Sequence, residues 1–403
     1  MMQAAAAPVK PNRIASLDGV KGFLSLKIAL AHVSFFVVAA ALSGPTGIAR
    51  MISFPVLLFA FGVGNGISKR KKPVYPLVIL GLALLAGSVL NEAFLDAKVA
   101  HGFFTTDHPI PGGPLHRLSL VIQLISGAHY TDFLQPYLLF LGLGLIFDRL
   151  KKPMRDWSPW ILGGSAIALS LTGHYLATLP YQGPLNQLWH GGYRAFQYAP
   201  LFAAGLLVGR YKIDWLAIKG SNKTWQIIGL ILKILAIKFV ADGVDWARPA
   251  MGYSRDLWKD GDIASLIGGA LIGLLLFSAY SDAVALFKGR VTDALERVGK
   301  RTIISLCVQM IILPLAGLVA VHFHSQVIRA TIGLSAWVVF VVMVLQWHLI
   351  TAFFTKLLGI KVEPKESGIA VIRATAPVEH VPHQTEDARS SERQEDRQPV
   401  PTA

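Results

Sequence analysis

About ten apolar runs of the length that crosses a bilayer, roughly 17 to 25 residues, recur along this chain. They fall at 22–42, 51–67, 74–95, 130–147, 159–178, 196–209, 224–241, 263–280, 302–321 and 327–352. In hydrocarbon a backbone must satisfy its own hydrogen bonds, and a helix does so within one segment. The expected fold is therefore all-α: a polytopic membrane protein with about ten transmembrane helices. With 53% hydrophobic residues, 15% charged residues and a mean hydropathy of +0.51, the chain also exceeds what one soluble core holds.

The net charge of +14 would suit nucleic acid if it formed one stripe, but it does not. Basic residues cluster between alternate apolar runs: Lys10 and Arg13, then Lys69 to Lys72, then Arg149 to Lys152, then the segment 210–223. Lys288, Arg290, Lys300 and Arg301 precede the ninth run, and Lys356 and Lys361 follow the tenth. Such clusters mark cytoplasmic loops, so both termini are expected in the cytoplasm and the span count is even. A cleaved signal peptide would need a short uninterrupted apolar core, and Lys27 and His32 interrupt this one, so the first span is expected to stay.

Three regions follow: a cytoplasmic N-terminal segment at 1–20, a transmembrane domain at 21–355, and a tail at 356–403. The tail is rich in charge, Pro, Ser and Gln and is expected to be disordered. Val284, Phe287, Val291, Leu295 and Val298 recur at helical spacing, which predicts an amphipathic helix lying on the membrane surface. The single cysteine, Cys307, excludes internal disulfides and reads as packing.

The first span carries the sharpest functional signal. At about 100° per residue, Lys21 and His32 lie within about 20° of one face, and Ser25 and Asp18 lie near it, while Lys27 points elsewhere. One face thus presents a carboxylate and a cation at the cytoplasmic edge and an imidazole near mid-membrane. An ionisable residue at that depth is a functional candidate, and imidazole is suited to general-base work near neutral pH.

Leu17-Asp18-Gly19-Val20-Lys21-Gly22, followed ten residues after Lys21 by His32 and then by nine further spans, resembles the membrane-bound acyltransferase 3 superfamily. That family includes polysaccharide O-acetyltransferases and the succinyltransferase of periplasmic glucans. Its usual pattern has Arg where this chain has Lys21. The segment 131–148 is similar to a middle span of the glucan succinyltransferase branch. The segment 298–314 resembles a late family span, with Thr302, Leu306 and Gln309 standing for Ser, Tyr and His.

The resemblance implies transfer of an acyl group, acetyl or succinyl, from cytoplasmic acyl-CoA to hydroxyls of a glycan such as an exopolysaccharide, cellulose or a periplasmic glucan. It casts His32, Lys21 and Asp18 as catalytic residues, with His32 acting directly on the acceptor hydroxyl or through a covalent acyl intermediate. Lys21, Lys69, Arg70 and Lys72 would meet the donor's phosphates, although the Lys69 to Lys72 cluster also reads as topology and lipid headgroup contact. His129 and Asp132, three residues apart, could orient the acceptor or form an interfacial pair.

Outer-loop aromatics such as Trp189, Tyr193, Trp246, Tyr253 and Trp258 suit sugar stacking or a membrane-interface belt. His101, His108 and His116 lack the tight spacing of a zinc site, and no metal is expected. Expected partners are membrane lipid, the glycan acceptor and polysaccharide synthase machinery, with no nucleic acid. The rival classes are a transporter or flippase, and a non-catalytic partner of a glycan synthase; no inverted halves favour the former. The expected location is the bacterial inner membrane, crossed many times.

Overall fold

A computed structural model describes residues 15–33, 40–68, 74–83, 86, 134–149, 153–179, 194–211, 222–253, 261–287 and 289–357. Among them there is no strand, and each expected apolar run is helical wherever it is described, apart from a bend at Val74 and one turn at Gln346. The helices are α1 (Ala15–Val33), α2 (Ala40–Ile67), α3 (Leu134–Arg149), α4 (Pro159–Thr178), α5 (Ala199–Arg210) and α6 (Lys223–Ala250). They continue with α7 (Ile263–Phe287), α8 (Arg290–Lys300), α9 (Thr302–Val321), α10 (Gln326–Leu345) and α11 (Trp347–Leu357). A short helical stretch also covers 75–83. Residues up to Trp347 form one compact unit; from His348 onward a second unit begins, in which the described residues belong to α11.

By length and composition, α7 and α10 can each cross a membrane, and α8 with the first part of α9 passes the same test as a pair bent by 85°. Their surroundings agree with a hydrocarbon solvent, because large apolar side chains face outward along several helices. Leu171 on α4, Phe239 on α6 and Val338 on α10 are among them.

Helix ends follow local chemistry. Ser158 Oγ accepts from Ile161 N at 3.4 Å and Pro159 occupies the first turn, which starts α4 where the apolar run begins. Asn222 accepts from Thr224 N at 3.1 Å to start α6. The amphipathic pattern from Val284 to Val298 is not one helix. Val284 and Phe287 complete α7, and the chain restarts at Gly289, where Thr292 Oγ1 accepts from Gly289 N at 3.1 Å and donates to its carbonyl at 2.8 Å. The tenth run also breaks: Arg301 Nη1 donates to Val344 O at 2.7 Å and Leu345 O at 3.0 Å, taking carbonyls that a helix end leaves without intrahelical partners. The sixth helix runs nine residues past its expected end at 241, through what the sequence suggested was loop.

Packing relies on close backbone approach. Gly62 and Gly66 on α2 meet Gly205 and Gly209 on α5, and a methyl on Gly205 would fall 2.3 Å from Phe59 O. This is the small-residue spacing that lets membrane helices touch. The same device joins α1 to α8: a methyl on Gly299 would fall 1.5 Å from Asp18 O, and one on Gly22 would fall 1.9 Å from Leu295 O. Helix α8 is thereby held across the N-terminal part of α1, and this crossing shapes the site.

Candidate functional site

A cavity of about 220 Å³ opens where α1, α2, α3, the 75–83 stretch and the α8–α9 elbow meet. Asp18 and Lys21 contribute from α1, Leu57 and Phe61 from α2, and Tyr137 from α3. Tyr75 and Leu80 come from the short stretch, and Gly299, Lys300, Arg301, Thr302 and Leu306 from the elbow. Residues of the segments 17–22, 131–148 and 298–314 therefore line one space.

Each polar group is set by its backbone. Asp18 is buried in the first turn of α1, where the helix N-terminus favours a carboxylate. Lys21 lies one turn further and is half-buried, with its ammonium beside Gly64 of α2; a methyl there would stand 3.0 Å from Lys21 Nζ. Thr302 Oγ1 donates to Gly299 O at 2.6 Å, which tightens the elbow. Arg301 is anchored to the end of α10, and burial, with a smaller contribution from the like charge of Arg297, pushes its guanidinium below the ordinary arginine value. Lys21, Lys300 and Arg301 make the cavity positive, and Asp18 gives it one acidic wall. Such a space, of about 220 Å³, suits a small anionic group.

The structure brings together Asp18 and Lys21 and adds Lys300, Arg301, Thr302 and Tyr137 to them. His32 belongs to α1, but its side chain lies outside the described residues, as do Lys69, Arg70, Lys72, His129 and Asp132. No group of three His, Cys, Asp or Glu able to hold a metal ion occurs among the described residues.

Sequence reasoning missed two buried pairs. Lys233 of α6 is bonded to Asp282 of α7, both largely buried; Lys238, by contrast, is exposed beside Asp242 one turn further on. At the far end of α7, Arg248 Nε donates to Asp262 Oδ2 at 3.0 Å, and both side chains are fully buried. Asp262 also accepts from Ser265 N at 2.9 Å and Ser265 Oγ at 2.7 Å, and Gln197 Oε1 accepts from Gly261 N at 3.0 Å. The spacing of Asp242, Asp245 and Arg248 at three-residue intervals was the available hint that helix continues there.

No family model matches the chain, and no curated protein and no solved structure matches it.

Proposed function

We infer that the chain is a membrane-bound transacylase that moves an acyl group from cytoplasmic acyl-CoA to a glycan hydroxyl at the opposite face. Acetyl or succinyl is the group, and an exopolysaccharide, cellulose or a periplasmic glucan is the acceptor. The observation that carries this reading is the shared cavity: Asp18 and Lys21 of the first span and Lys300, Arg301 and Thr302 of the late span line one positive space. Lys21, Lys300 and Arg301 offer donors to a phosphate of the donor substrate, with Lys69, Arg70 and Lys72 as further contacts outside the described residues. His32, eleven steps and about 16 Å along α1 from Lys21, takes the proton of the acceptor hydroxyl as its oxygen attacks the acyl carbonyl. The carbon–sulfur bond then breaks and the CoA thiolate leaves. His129 and Asp132 orient the acceptor. In this reading the chain crosses the inner membrane about ten times, with both termini cytoplasmic, and works beside a polysaccharide synthase.

The test compares surface glycans, with and without the gene, for alkali-labile esters, and then repeats the comparison with His32→Ala and His32→Gln. Loss of a general base costs about 10² to 10⁴ in rate, whereas a lost interhelical hydrogen bond in a membrane costs about 0.6 to 2 kcal/mol. Both variants are expected to accumulate normally and to transfer no acyl group. A Gln variant within a few-fold of the parent would remove His32 from the chemistry, and esters unchanged by deletion of the gene would remove the transacylase reading.

A further inference from the structure

The cavity draws its polar lining from the starts of three apolar runs. Asp18 and Lys21 stand just before the run at 22–42, Lys300 and Arg301 just before that at 302–321, and Tyr75 is the second residue of that at 74–95. Where spans begin, basic residues and tyrosine meet lipid headgroups. Much of the remaining lining is apolar: Leu57, Phe61, Ile79, Leu80, Ile303 and Leu306 share the space with those charges. A free inorganic anion gains nothing from such walls. The stretch 75–83 then carries the apolar surface outward. Cys307 Sγ of α9 donates to Ile79 O at 3.9 Å and Leu80 and Ala83 are buried, while Tyr75, Val78 and Leu82 are 58%, 52% and 59% exposed. Those three lie within about 60° of one another around the helix and span about 10 Å along it. Tyr75 belongs to both surfaces, so an exposed apolar stripe starts at the cavity and runs on into the span.

We propose that the cavity and this stripe form a binding site for an anionic phospholipid, with its phosphodiester among Lys21, Lys300 and Arg301 and one acyl chain along Tyr75, Val78 and Leu82. The proposal goes beyond the donor reading and rests only on these runs crossing the bilayer. A headgroup enters a space of about 220 Å³ while its chains stay outside it. Three cations and one carboxylate favour a head with a net negative charge over a zwitterionic one. Asp18 selects further: it accepts from a head that carries hydroxyls, such as the glycerol of phosphatidylglycerol, whereas choline has no hydrogen to donate. The cations that hold the lipid phosphate are those that would hold a donor phosphate. Lipid and donor therefore compete, and the membrane's content of anionic lipid regulates access to the site.

The experiment adds phosphatidylglycerol, phosphatidylcholine or glycerophosphoglycerol, the same head without chains, to the full chain in detergent and reads bound ligand by native mass spectrometry. The parent is expected to retain phosphatidylglycerol at least about tenfold better than either other probe, the worth of one charge-assisted hydrogen bond. Lys300→Ala is expected to weaken that lipid about fivefold, the worth of one surface cation. Arg290→Ala removes an exposed charge ten residues away on the same helix and is expected to change nothing. Val78→Asn is expected to weaken the lipid about threefold by wetting the stripe; should it fail to accumulate, Leu82→Asn carries the same readout. Equal losses in the Lys300 and Arg290 variants would mean diffuse attraction and overturn the site. Equal binding of the lipid and glycerophosphoglycerol would leave a site for a free anion and overturn the lipid. Coenzyme A binding without phosphatidylglycerol retention overturns this site and leaves the donor reading standing, whereas the reverse result supports the site and removes the donor.

Discussion

Two clusters of charge, about 27 Å apart along α7 by its helical rise, are built from the same residue types and end in opposite states. At one end Arg248 and Asp262 are fully buried, the carboxylate also accepts from Ser265 N and Oγ, and the surroundings are closed: a methyl on Gly261 would fall 2.6 Å from the Gln197 backbone. Near the other end, where Tyr280 reaches Thr292 O at 3.3 Å across α1, the residues Asp18, Lys21, Lys300 and Arg301 surround a cavity. A charge pair that closes on itself with no space beside it fastens helices. Charges that meet around a space can still bind something. Residue identity does not separate the two cases; the packing does.

The largest effect should come from opening the closed cluster. Removing one partner of a buried pair leaves an uncompensated charge and costs about 3 to 5 kcal/mol. Asp262→Ala should therefore reduce accumulation and lower the thermal unfolding midpoint in detergent, with no selective effect on donor binding. Replacing Arg248 and Asp262 together by apolar residues should recover much of that loss. A stable Asp262→Ala protein that lost only ligand binding would turn this end of the molecule into a site and erase the contrast.

The cavity should respond the other way. Lys21→Ala should leave stability near the parent's and weaken coenzyme A binding roughly tenfold to a hundredfold, the worth of a charge-assisted hydrogen bond. Lys21→Arg should retain most of the affinity, since it supplies the same charge and more donors. Equal binding by the Ala variant and the parent would reduce Lys21 to a topology residue.

Much of this architecture was legible as sequence because it depends on one solvent. Ser158-Pro159 announces the start of α4, and the runs at 159–178 and 302–321 become α4 and α9 with those bounds. Asp18 and Lys21 were legible as one face because helical rotation is fixed by local geometry. What could not be read were features set by a partner helix. Nothing local indicates that Gly299 must lie against Asp18 O, or that Arg301 would take two carbonyls from α10 and divide the tenth run. The pairs Lys233 with Asp282 and Arg248 with Asp262 join residues 49 and 14 positions apart, and their meeting depends on how α6 and α7 pack. Lys300, Arg301 and Thr302 stood where the ninth apolar run begins, yet only tertiary contact shows that they and Lys21 line the same cavity.

The smallest expected effect sharpens the comparison most, because it acts on the position of one charge. A methyl on Gly64 would stand 3.0 Å from Lys21 Nζ, and the neighbour is the far end of a flexible side chain, so the ammonium can yield by a few tenths of an ångström without moving either backbone. Gly64→Ala should then leave stability within about 0.5 kcal/mol of the parent, as a compatible Gly→Ala change inside a helix often does. If Lys21 meets the ligand, the same change should weaken coenzyme A binding by a few-fold, because a displaced charge loses hydrogen-bond geometry. The control is the pair: in a Lys21→Ala background Gly64→Ala should do nothing, since the group it displaces is gone, and the two losses should therefore fail to add. Additive losses in the double variant, measured by titration of coenzyme A, would mean that Gly64 acts through α2 packing and not through Lys21.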